Sequence, residues 1–210
     1  MIELRNIDVA YGTLQVLWDV SLKVEKGEVV SILGANGAGK STVMATMSGV
    51  VRPLKGSILF EGEDITALGP RARVSRGIVH VLERQRVFPF LKERTRQRAG
   101  LMSGGEQQML VIARGLMSQP RLMMLDEPFL GLSPHMVSEI LTVIRSLNEQ
   151  GITVVFIEQH VKKALAASGR AYVLEAGRVA LTGASNELLE SGRVTKVYMG
   201  VEAREAEIAL

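Results

Sequence analysis

Gly34-Ala35-Asn36-Gly37-Ala38-Gly39-Lys40-Ser41 decides the reading of this chain. The octet fits the pattern G-x-x-x-x-G-K-[ST]. It follows an apolar run that ends at Leu33 and precedes a helix-compatible segment, Ser41 to Ser48. Glycines let backbone N–H groups wrap around phosphate oxygens, and the helix start behind them favours an anion. Lys40 supplies a point charge for the β/γ-phosphates, Ser41 a hydroxyl for Mg²⁺, and Thr42 a further phosphate contact. The expected ligand is therefore ATP with Mg²⁺.

Such a cradle needs carboxylates nearby. Leu122-Met123-Met124-Leu125 reads as a buried strand and ends in Asp126-Glu127-Pro128. Strand ends are where ligands sit in open parallel sheets. Asp126 is placed to hold Mg²⁺, and Glu127 to orient or deprotonate an attacking water.

The surrounding pattern is α/β. Early β-rich runs lie at 21–24, 28–33 and 56–62, and the first and third alternate as half-buried antiparallel strands do. Continuously apolar runs at 121–125 and 152–157 suit parallel central strands joined by crossover helices. Val137, Ile140, Leu141, Ile144 and Leu147 recur at helical spacing behind Ser133-Pro134, where serine can cap and proline can fill the first turn. The expectation is a P-loop α/β domain with a mostly parallel core sheet and an N-terminal antiparallel β subdomain.

Composition adds bounds. A chain of 210 residues suits one core, and Lys+Arg 25 against Asp+Glu 22 is too even to imply a nucleic-acid partner. Basic clusters at 92–98 and at Arg71, Arg73 and Arg76 read as solvated faces, since no aromatics interleave with them. With no cysteine there is no disulfide or thiolate metal site. No secretory leader or run of about 18 apolar residues is visible, so a cytoplasmic protein is expected.

Met102-Ser103-Gly104-Gly105-Glu106-Gln107-Gln108 precedes an apolar-periodic helix through Met109, Ile112, Ala113 and Leu116. Here the sequence resembles the ABC ATPase family, with Met102 in place of the usual leucine. The resemblance implies a single ABC domain over 1–210. It also implies that Ser103, Gly104 and Gly105 grip, in trans, the γ-phosphate held by a second ATPase subunit. Tyr11 resembles the adenine-stacking residue, and Glu158-Gln159-His160 the switch segment whose histidine contacts the γ-phosphate. Glu83 resembles the Mg²⁺-contacting residue of a V-P-Q element, here Val81-Leu82-Glu83.

Tyr11-Gly12, Arg86-Val87-Phe88-Pro89 and Gly131-Leu132-Ser133-Pro134 are similar to the ATPases of branched-chain amino-acid importers. A urea or amide importer subunit shares most of these motifs. The branch implies membrane-spanning permease partners and a peripheral place on the inner face of the membrane. It implies no direct nucleic-acid partner.

One departure stands out. The family places a mostly helical subdomain of several dozen more residues between the elements of Lys40 and Ser103. The family's two Phe-Pro-x-Leu segments read here as one, at Phe88-Pro89-Phe90-Leu91, leaving a shortened subdomain over about 88–118. A deletion between the two copies gives this, as does a stretch omitted from the sequence; only the latter parts consecutive Cα atoms within 88–100 by much more than about 3.8 Å. A truncated nucleotide-binding module without transport coupling is the competing reading.

Overall fold

The computed structural model describes residues 1–81, 101 and 104–198. In chain order the first elements are β1 (Ile2–Tyr11), β2 (Leu14–Val24), β3 (Val29–Leu33), α1 (Lys40–Met47), β4 (Lys55–Phe60), β5 (Glu63–Asp64), α2 (Pro70–Val74) and β6 (Ile78–Val81). Then come α3 (Gly104–Leu116), β7 (Leu122–Asp126), α4 (Pro134–Glu149), β8 (Thr153–Glu158), α5 (Val161–Ala167), β9 (Arg170–Glu175), β10 (Arg178–Ala184) and α6 (Ser185–Glu190). The expected junction within 88–100 lies outside the described residues.

Two sheets result. The first runs β2-β1-β4-β5 and is antiparallel, which is why its strands alternate buried and exposed residues. The second runs β10-β9-β3-β8-β7-β6, parallel except for β10. Side chains of a strand point alternately to opposite faces. Accordingly Leu122 and Met124 join one core with Ile32, Ile157, the β1–β2 sheet and Val43, Met44 and Met47 of α1. Met123 and Leu125 join the opposite core, with Phe156, α3 and the Val137, Ile140, Ile144 and Leu147 stripe of α4. Both faces of the parallel sheet are thus covered, as crossover helices require.

Helix starts follow local chemistry. Ser133 caps α4 by accepting the Met136 N–H at 3.4 Å, with Pro134 in the first turn. The N-terminus of α1 lacks a side-chain cap: Gly39 precedes it at φ 97°, and its Cβ, if present, would lie 2.7 Å from Leu17 Cδ2. That end is left with backbone N–H groups for another acceptor.

The basic cluster at 71–76 corrects the solvated-face reading. Arg71 is exposed and Arg76 pairs with Glu63, but Arg73 is 1% exposed. Its guanidinium donates to the carbonyls of Thr46 (2.7 Å) and Met47 (2.9 Å) at the end of α1, and to those of Ile65 (2.8 Å) and Leu68 (2.9 Å). Burial lowers its pKa to about 10, against the opposing pull of Asp64. A helix-length spacing on α2 could not reveal this, because the acceptors come from other elements.

Two outcomes follow. Arg73→Met strands the buried carbonyls of Thr46, Met47 and Ile65 and should cost about 3 kcal/mol in denaturant unfolding. His80, on β6, has its pKa lowered by burial to about 4. Its neutral form stabilises the fold fully above the unfolded value near 6.5, and that contribution is lost as pH falls toward 4. Melting at pH 7 and 4.5 should show a stability drop that is smaller in His80→Phe by up to about 3 kcal/mol.

Candidate functional site

Strand register assembles the site. In the parallel ladder Leu33 lies opposite Glu158, and Asp126 opposite Ile157. The carboxyl ends of β3, β8 and β7 therefore finish level, and the segments that follow emerge side by side. The loop 34–39 leaves β3, Glu127 leaves β7, and Gln159 and His160 leave β8. The strand order changes direction at β3, which is flanked by β8 and β9, so the crevice sits where open α/β sheets bind ligands.

A cleft of about 190 Å³ lies over the start of α1, between Val16, Asn36-Gly37, the Lys40-Ser41-Thr42 turn and Glu127. Gly34 and Ala38 are buried beneath it, Ala35 is half-buried and Ser41 is exposed. Lys40, 5% exposed, donates from Nζ to the carbonyls of Gly34 (2.9 Å) and Ala35 (3.1 Å), so the amine already lies inside the loop. Burial lowers the Lys40 pKa, while the carboxylates of Glu127, Asp126 and Glu158 hold it up. Open backbone donors, an ammonium and a hydroxyl at one helix start fit a polyphosphate. Ser41 and Asp126 offer hard oxygen ligands of the kind Mg²⁺ takes beside phosphate.

The loops after β7 and β8 are laced together. Glu158 is 1% exposed and accepts the N–H groups of Phe129 (2.9 Å) and Gln159 (3.1 Å), with His160 N at 3.5 Å. Burial raises its pKa, and those N–H groups oppose the rise. Glu127 donates its N–H to Ile157 O at 3.1 Å and adopts φ 41°, a left-handed conformation that costs a non-glycine residue of order 1 kcal/mol. Gln159 Nε2 then donates to Glu127 Oε1 at 2.7 Å.

His160 is exposed and precedes α5 with no side-chain capping bond. The sequence reading expects His160 at the γ-phosphate; the side chain that meets Glu127 is that of its neighbour Gln159. The buried anchor Glu158 was not singled out either, since only the fold shows that it spans two loops. Tyr11 ends β1 at 51% exposure, opposite Leu14 across the β1–β2 turn. Gly104 and Gly105 open α3, where Gly105 packs so closely on Met136 that a Cβ would meet its Sδ at 2.8 Å. Glu83 and Ser103 lie outside the described residues.

Gly177 stitches the cradle to both sheets. Its N–H donates to Ala38 O (3.2 Å) and its carbonyl accepts the Trp18 N–H (2.9 Å). A Cβ there would collide with the Val16 carbonyl, and φ is 75°.

Comparison with known proteins agrees with this geometry. A family model described as ABC transporter matches residues 17–96 and 75–130. The chain is 40% identical to the high-affinity branched-chain amino acid transport ATP-binding protein BraG of Pseudomonas aeruginosa, over 95% of this chain and 100% of that protein. It is 32% identical to the lipopolysaccharide export system ATP-binding protein LptB of Escherichia coli K12, over 95% and 97%. A solved ATP-binding cassette of an ABC transporter superposes with TM-score 0.85 at 26% identity, covering 94% of this chain and 98% of that one. The alignment with BraG spans 232 positions against 210 residues here, so at least 22 residues of BraG have no counterpart. The two family-model matches overlap at 75–96, the neighbourhood where the sequence reads as shortened.

Gly177→Ala should push β2 away from the cradle. ATP affinity, read by titration with a fluorescent analogue, should fall about tenfold, while far-UV circular dichroism stays native.

Proposed function

The chain belongs to the ABC transporter family of ATP-binding cassettes, which hydrolyse ATP to power transport; from that premise we propose that it energises import of branched-chain amino acids. The observation supporting the catalytic part is the level ending of β3, β8 and β7, with Lys40, Ser41 and Glu127 lining one cleft and Asp126 preceding Glu127 at the end of β7. The cargo rests on the 40% identity to BraG and on the motifs at Tyr11-Gly12 and Gly131-Leu132-Ser133-Pro134.

In this reading, backbone N–H groups of residues 35–41 and the Lys40 ammonium bind the β- and γ-phosphates, with Thr42 as a further contact. Tyr11 stacks on the adenine. The Ser41 hydroxyl and the Asp126 carboxylate, with Glu83 as a further contact, would hold a Mg²⁺ ion, which would supply neutralisation of phosphate charge. Glu127 orients the attacking water and accepts its proton. Ser103, Gly104 and Gly105 serve the nucleotide of a second cassette, so that ATP closes a head-to-tail dimer and drives membrane-spanning permease subunits. No helix among the described residues is long and apolar enough to cross a membrane, which suits a peripheral subunit on the inner face.

The residues of BraG that have no counterpart here favour a second reading, a module that binds ATP without productive coupling to a permease. ATPase assays with and without co-purified permease separate the two, since only the first expects stimulation.

Glu127→Gln should lower turnover by about 10²-fold or more and trap an ATP-loaded dimer visible by size exclusion. Turnover equal to the parent protein overturns the assignment of Glu127.

A further inference from the structure

We propose that Gln159, rather than His160, is the switch residue of this cassette: a positioning residue whose amide fixes the Glu127 carboxylate from the loop after β8. The proposal rests on the hydrolytic role of Glu127 given above.

Three observations carry it. Gln159 Nε2 lies 2.7 Å from Glu127 Oε1, and only the amide nitrogen can donate to a carboxylate, which settles which way the amide faces. The backbone of Gln159 is itself fixed, its N–H donated to Glu158 Oε2 at 3.1 Å, while Glu158 Oε1 takes the Phe129 N–H at 2.9 Å on the other loop. Glu127 is meanwhile held at φ 41° by its N–H bond to Ile157 O, so its side chain leaves the backbone in one enforced direction. The two loops are thus joined by side chain and backbone at once, and Gln159 is the link that reaches the reacting carboxylate. His160, one position on, is exposed, and its carbonyl opens α5 by accepting the Ala164 N–H at 3.0 Å.

The choice of residue has a chemical consequence. A carboxamide does not titrate between pH 5 and 9, whereas an imidazole changes charge near pH 6.5. Hydrolysis here should therefore lack an imidazole ionisation from the switch position. Gln159→His supplies one: a neutral imidazole can still donate to Glu127, and its protonation turns a hydrogen bond into an ion pair.

The test uses the full chain and its His160→Ala, Gln159→Ala, Gln159→His and Glu127→Gln variants, assayed for kcat, KM and ATP affinity from pH 5.5 to 8.5. Gln159→Ala should lose about tenfold or more in kcat with ATP affinity within about twofold. His160→Ala should stay within about twofold of the parent. Gln159→His should recover kcat at pH 8 and acquire a limb above about pH 6.5 that the parent lacks. A readout independent of turnover is the NMR titration of the imidazole in Gln159→His. It should titrate at higher pH than in the Gln159→His/Glu127→Gln double variant, as an imidazole beside a carboxylate does.

Equal imidazole titration in the single and double variants overturns the proposal, as does loss of kcat in His160→Ala with none in Gln159→Ala. A Glu127→Gln variant that turns over like the parent instead overturns the hydrolytic reading beneath it.

Discussion

The parallel ladder β3–β8–β7 is the constraint on which the rest depends. Because Leu33 pairs with Glu158 and Ile157 with Asp126, three strands stop at the same height. A slip of one residue in either pairing would turn the buried side chains to the opposite face and displace the loops relative to each other. Near-continuous burial of β7 and β8 makes such a slip expensive, so the two apolar cores that fix register also fix the distance between cradle and carboxylates. Chemistry at the strand ends is thereby set by packing in the strand middles.

That division explains what the sequence could show. The octet 34–41, the Asp126-Glu127 pair and the α4 stripe behind Ser133-Pro134 are local patterns: each carries its turn, strand end or helix phase within a dozen residues. The architecture followed from them, and the parallel and antiparallel sheets fall where period and continuity of burial place them. Long-range partnerships were not legible. Arg73 is spaced like a surface arginine, yet carbonyls from two other segments consume it. Adjacent Gln159 and His160 differ in what they meet because one leaves a strand end and the next opens a helix; no spacing rule separates two consecutive polar residues.

The shortened region has a corresponding physical reading. The level strand ends, the cradle and the Glu127–Gln159 link are built from described residues outside 82–100, as are the six strands of the larger sheet.

The buried guanidinium at the far end of α1 gives that helix two electrostatic partners. An eight-residue helix is about 12 Å long, with its positive pole at the cradle and its negative pole on the Thr46 and Met47 carbonyls that Arg73 holds. Anionic charge arriving at one pole finds the other already neutralised by a cation on a different element. The helix is thus a polarised rod clamped at its back, because the guanidinium that holds its last carbonyls also holds those of Ile65 and Leu68 and ties its C-terminal end to α2.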